Sequence, residues 1–137
     1  MINGLHHIGI AVTDLDAAVS QWQTVTGGKM VHREIVAEQR VEVAVIEIGS
    51  LHVELLKPTS DDSPIAKFIA ARGTGIHHMA LRSDSTQQEL DRLKSSDVRL
   101  IDETARIGAE NTRVGFIHPK ATGGVLLEIV EPSAAHA

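Results

Sequence analysis

The chain has 137 residues, a formal net charge of −5, 42% hydrophobic residues and 23% charged ones. That balance describes a globular domain with its own core, and the acidic sign argues against nucleic acid or an anionic membrane as partner. The absence of cysteine and the presence of only three aromatics (Trp22, Phe68 and Phe116) exclude disulfides, thiolate nucleophiles, cysteine zinc sites and a base-stacking platform.

No apolar run reaches the ~18 residues that span a bilayer. The first residues carry no basic-then-apolar signal pattern, so the cytoplasm is the expected location. Residues 5–12 alternate: Ile8, Ile10 and Val12 on one face, His7, Gly9 and Ala11 on the other. This predicts a strand with a bulky face for the core and a small-residue face around His7. His6 falls on the bulky side as a partly buried neighbour. Thr13-Asp14-Leu15-Asp16 starts a helix, with Leu15, Ala18, Trp22 and Val25 at helical spacing and Gly27-Gly28 ending it. Strands are expected at 30–37, 41–49 and 51–57, with a turn at Gln39-Arg40. In the last strand Glu54 lies on the polar face, opposite Leu51, Val53 and Leu55.

Residues 58–74 contain a linking helix opened by Ser63-Pro64, with Ile65, Phe68 and Ile69 inward and Gly73 at its end. The order then repeats. In 76–82, Met79 and Leu81 share one face, His78 and Ala80 the other. Asp84 or Ser85 caps a helix through about Asp97, with Leu90 and Leu93 inward. Strands are expected near 98–101, 112–118 and 124–130, separated by turns at 108–111 and 121–124. In the last, Val125, Leu127 and Ile129 face the core and Glu128 faces away.

The chain is therefore one βαβββ unit written twice: module one 1–57, a linking helix within 58–74, module two 75–132 and a frayed tail 133–137. The offset is 71 residues from His7 to His78 and 74 from Glu54 to Glu128. A lone strand histidine is ordinarily structural, and a lone glutamate ordinarily a solvated face. Two of each at matching places in two copies point instead to a shared metal centre at His7, Glu54, His78 and Glu128. Imidazole nitrogens with carboxylate oxygens suit Co, Mn, Zn, Ni or Fe as divalent ions. Four protein ligands in an octahedral sphere leave two positions for water or substrate, the mark of a catalytic site.

The stretches His6–Val12, Val53–Pro58, Asp62–Phe68, His77–Ala80, Gly108-Ala109, Phe116–Lys120 and Gly123–Glu128 also carry a family likeness. The chain resembles the vicinal oxygen chelate superfamily, and within it the methylmalonyl-CoA epimerase family. The resemblance implies an α+β fold of two tandem βαβββ modules forming an eight-stranded, cleft-shaped mixed sheet with helices on the outer face. It implies a metal, cobalt first, with Mn, Zn or Ni as alternatives, at His7, Glu54, His78 and Glu128. It implies a base at Glu38, in a turn where the family carries Glu-Gln-Gly or Glu-His-Gly. Here that turn reads Glu38-Gln39-Arg40, so a position suited to positive φ holds Arg. Asn111 likewise stands where relatives often have Gly, and Asn tolerates the left-handed region better than most residues.

The implied activity is an isomerase reaction: epimerisation of (R)/(S)-methylmalonyl-CoA by 1,1-proton transfer through a metal-stabilised enolate. Inversion needs one group on each face of the planar intermediate, and Glu38 and Glu128 fill those roles. Lys120 is a candidate contact for a CoA phosphate and Arg82 for a substrate carboxylate. The partners expected are an acyl-CoA thioester and a second copy in a homodimer. Two alternatives share the fold: a glyoxalase I-type lactoylglutathione lyase, and a non-catalytic small-molecule-binding resistance protein. The symmetric fourth ligand argues against an extradiol dioxygenase, which needs two His and one carboxylate.

Overall fold

The structure, a computed structural model, describes residues 1–134; residues 135–137 of the expected tail, with His136, lie outside the described residues. The strands are β1 (Ile2–Ala11), β2 (Lys29–Val36), β3 (Val41–Ile48), β4 (Leu51–Pro58), β5 (Gly75–Ser83), β6 (Arg106–Ile107), β7 (Arg113–Ile117) and β8 (Leu127–Glu131). The α-helices are α1 (Leu15–Thr26), α2 (Pro64–Arg72) and α3 (Thr86–Ser95). The fold is α+β, as expected, with an eight-stranded mixed sheet in the order β2-β3-β4-β1-β5-β8-β7-β6. None of the described helices is long and apolar enough to cross a membrane. The chain divides into two compact units: His7–His77, and Met1–His6 with the residues from His78 on.

In the unit His7–His77, β2, β3 and β4 form an antiparallel meander and β4 runs parallel to β1. The registers Ile8↔Val53↔Ile46 and Ile10↔Leu55↔Ala44 gather the bulky residues on one face. Helix α1 covers that face, and Ile10, Val12, Leu15, Ala18, Val19, Ala44, Ile46, Val53 and Leu55 form its core. The helix starts where Asp14 Oδ1 accepts from Ala17 N at 3.0 Å and stops at Gly27, whose φ of 73° is the left-handed conformation that glycine adopts without strain. Val25, expected inward, is 84% exposed; the buried stripe turns through Val19 instead, with Trp22 half-buried. Four apolar positions at helical spacing define a face, and the sheet engages only part of it. Helix α2 begins on Ser63, whose buried hydroxyl accepts from Ile65 N at 3.1 Å.

In the other unit, β5 runs parallel to β8, which pairs antiparallel with β7. Gly115↔Ile129 and Phe116↔Glu128 are neighbouring register pairs, so their side chains alternate between two faces. Helix α3 lies on the Gly115 face. A Cβ at Gly115 would meet Leu90 Cδ1 at 2.7 Å, so glycine is what lets the buried Leu90 approach the strand. The expected strand at 98–101 is reduced to one bridge, Leu100↔Ile117. The two-residue β6 takes the edge along Arg113 and Val114, and between it and the bridge Phe116 N donates to the Asp102 carboxylate at 2.8 Å instead of to a backbone carbonyl. The last strand begins at Leu127, not 124, and Val125 is 46% exposed, because Gly123 and Gly124 both have positive φ and delay its entry into the ladder. Helix α3 ends at Ser95.

Candidate active site

Each unit builds one His–Glu pair, and both are built the same way. In the first, His7 lies on β1 and Glu54 on the parallel β4, with Gly9 opposite Glu54 in register. His7 Nδ1 and Glu54 Oε2 are 3.1 Å apart. In the second, His78 lies on β5 and Glu128 on the parallel β8, with Ala80 opposite Glu128. His78 Nε2 and Glu128 Oε1 are 3.2 Å apart. In both copies the glutamate faces the residue two places after the histidine. That shared step explains how spacings of 47 residues (7 to 54) and 50 residues (78 to 128) give one local geometry. The residue opposite each glutamate is Gly or Ala, and the smallness of that side chain leaves the carboxylate room beside the imidazole.

All four side chains are buried: His7 3%, Glu54 9%, His78 5% and Glu128 4% exposed. A buried carboxylate is costly unless an opposite charge, hydrogen-bond donors or a metal compensate it. The small-residue face of β1 is as buried as the bulky one, with Gly9 and Ala11 both inside. Phe116, opposite Glu128 in register, also meets the His78 ring edge-on, with centroids 5.5 Å apart at 81°. The period-2 alternation of β7 was the signal available for that contact, but only the register supplies the partner.

The other expected site residues lie elsewhere in their units. Glu38 is exposed in a 3-10 turn, Ala37–Gln39, between β2 and β3. Arg40, which follows it, has φ 52° and ψ 50°: the left-handed conformation foreseen for this position is adopted, by arginine. Asn111 is left-handed as well, at φ 57°, and so is Glu110 before it. Arg82 is exposed on β5, on the face of His78 by alternation. Lys120 is exposed in the turn Pro119–Thr122, where its backbone N–H donates to His118 Nδ1 at 3.1 Å. Desolvation, Arg99 and Lys120 hold the His118 pKa below its ordinary value, a shift that favours the neutral form able to accept in that cap. His32 pairs with Glu34 at 2.8 Å and His52 with Glu47 at 3.3 Å. His6 is half-buried, as expected.

A family profile, the Glyoxalase/Bleomycin resistance protein/Dioxygenase superfamily, matches residues 6–116. The chain belongs to that superfamily. Among its relatives is a methylmalonyl-CoA epimerase from Mycobacterium tuberculosis, whose crystal structure is 42% identical, covers 98% of this chain and 91% of its own, and superposes with a TM-score of 0.94. A variant of the Streptomyces coelicolor methylmalonyl-CoA epimerase, in complex with 2-nitronate-propionyl-CoA, is 33% identical, with 100% and 99% coverage and a TM-score of 0.95. The uncharacterized protein YqjC of Bacillus subtilis is 40% identical over 96% of this chain and 94% of its own. The chain is thus an epimerase-like enzyme of the isomerase class.

Proposed function

We propose that this protein is a metal-dependent epimerase acting on methylmalonyl-CoA by 1,1-proton transfer. The observation that carries the reading is the duplicated His–Glu pair, built on the same register step in both units, in a chain similar over nearly its whole length to methylmalonyl-CoA epimerases.

The donor set fits a divalent ion. In an octahedral sphere with bonds of ~2.1 Å, neighbouring ligand atoms lie about 3 Å apart. The His–Glu separations of 3.1 and 3.2 Å match that spacing. His7, Glu54, His78 and Glu128 are the residues that would hold the ion, cobalt first among Co, Mn, Zn and Ni. When bound, it supplies Lewis-acid stabilisation of negative charge developing on the substrate's thioester oxygen.

The residues of the chain do the rest. One carboxylate takes the α-proton, and the C–H electron pair moves onto the thioester carbonyl to give a planar enolate. The other, as its conjugate acid, returns a proton to the opposite face of that carbon, so the centre inverts and no redox change occurs. Glu38 and Glu128 are the pair, each general acid–base step contributing typically ~10²–10⁴-fold. Arg82 receives the substrate carboxylate and Lys120 a CoA phosphate. The working form is a homodimer.

Deuterium uptake tests the reading. In deuterated water with the ion bound, the α-position of methylmalonyl-CoA exchanges, and Glu38→Gln keeps the metal while losing about 10²-fold or more of that exchange. Turnover of the methylglyoxal–glutathione adduct with no α-exchange would overturn it in favour of a lactoylglutathione lyase. Failure to take up about one equivalent of metal would overturn it in favour of a binding protein.

A further inference from the structure

Two features converge on the turn that carries Glu38. Arg40 holds a left-handed backbone, with φ 52° and ψ 50°, that side chains with a Cβ rarely adopt outside Asn and Asp. Gln39, between Glu38 and Arg40, has its side-chain Nε2 buried with no hydrogen-bond partner. Two local costs thus fall on the two residues directly after Glu38. Such costs persist where surrounding structure over-determines the conformation, and they concentrate at functional sites.

The over-determining structure is also present. The Arg40 backbone carbonyl accepts from Thr59 N at 3.1 Å, and Arg40 N donates to Ala37 O at 3.1 Å, closing the turn. The guanidinium reaches the other way: Arg40 Nη1 donates to Asp62 Oδ2 at 3.2 Å. Asp62 is itself held by Ser60, whose hydroxyl donates to Oδ1 at 2.5 Å. Ser60 O accepts from Ser63 N at 3.2 Å, and Ser63 caps α2. The chain of contacts runs from the Glu38 turn, through Arg40, Asp62 and Ser60, to the first turn of α2. A hairpin needs none of this to close, because Val36↔Val41 already pairs its ends. An exposed ion pair contributes little to stability by itself. What the contacts do is tie the turn to the segment that leads into α2.

We propose that Arg40 and Asp62 form a strap that positions Glu38: Arg40 is a positioning residue, held in a strained backbone so that its side chain can anchor the turn to α2. The inference rests on Glu38 being a proton-transfer residue. The strap fixes the approach of its carboxylate to the substrate carbon, and rate depends steeply on such placement.

The test compares metal-loaded Arg40→Gly, Arg40→Lys, Asp62→Asn and Glu38→Gln in the α-exchange assay, with melting temperature and metal content measured on each. Arg40→Gly removes the strained backbone together with the strap. Its melting temperature is expected to hold or rise while kcat falls about tenfold with KM little changed. Asp62→Asn lowers kcat to a similar extent, the double variant is no worse than Arg40→Gly, and Arg40→Lys recovers part of the loss. Unchanged kcat in Arg40→Gly and Asp62→Asn, with Glu38→Gln inactive, overturns the strap and leaves Glu38 in place. A fall in kcat only alongside a fall in melting temperature reduces the pair to a structural contact and also overturns it. Full activity in Glu38→Gln removes the underlying reading instead.

Discussion

The two His–Glu pairs share a register and little else. In the unit His7–His77 the histidine turns Nδ1 to its glutamate; in the other it turns Nε2. Glu54 faces Val45 across the sheet, in a meander whose strands are each eight residues long. Glu128 faces Phe116, and there the strands have shrunk to two, five and five residues with 3-10 turns between them. The duplicated element is therefore narrow: two parallel strands and one step of register. Around it the copies diverge in strand length and in the residue that faces each glutamate.

The largest predicted effect separates the two glutamates. Glu54→Gln and Glu128→Gln should each weaken metal affinity by about 10–100-fold or more, read by competition with a chelator. At saturating metal, only Glu128→Gln should also lose about 10²-fold or more of α-exchange. Equal exchange rates in the two saturated variants would make the pairs equivalent and remove Glu128 from proton transfer.

Packing behind the pairs comes next. Leu90 is fully buried against Gly115, behind the strand that faces Glu128. Leu90→Ala should cost ~2–5 kcal/mol in urea unfolding. Gly115→Ala, which drives a Cβ into the Leu90 side chain, should cost ~1–3 kcal/mol. The double variant should recover part of the loss, and strict additivity would contradict the contact.

The helix caps at matched positions give a smaller contrast. Asp14 accepts from Ala17 N at 3.0 Å and Ser85 from Gln88 N at 3.3 Å. Each change to Ala should cost ~1 kcal/mol, with Asp14→Ala the larger because its charge also meets the helix dipole. An equal or reversed order in thermal melts would discount the charge.

The smallest effect is one of pH. Glu89 is buried where the other copy has Ala18, and it has no counterpart there. Arg92, then the amino-terminal ammonium, hold its pKa below the ordinary carboxylate value. A lowered folded pKa means stability that is present above the unfolded value of about 4.3 and lost as pH falls through the folded one. Glu89→Gln should flatten the acid limb of the urea midpoint against pH, with little change in the limb above neutrality. An unchanged acid slope would count against the pairing.

Much of this was legible beforehand, for reasons that can be named. Alternation put His7 and His78 on the small-residue faces, and doubling singled out Glu54 and Glu128 from the other carboxylates. The helix starts at Asp14, Ser63 and Ser85 were visible because caps are local chemistry. The misses were of another kind. Val25 and Val125 carry apolar side chains that the sheet does not cover, and residues 98–101 keep a single bridge to β7, beyond which Phe116 N turns to the carboxylate of Asp102, fourteen residues away in the chain.

By itself the sequence determined the repeat, the element order, the caps and the choice of His7, Glu54, His78 and Glu128 as the residues that pair, because each depends on neighbours within a few positions or on self-similarity. Only the tertiary structure decided the parallel registers that set Glu54 and Glu128 beside their histidines, the nitrogen each imidazole presents, the edge contact of Phe116, and the link from Arg40 to Asp62. Those depend on which strand lies next to which, and pairing between segments dozens of residues apart is an outcome of the whole fold.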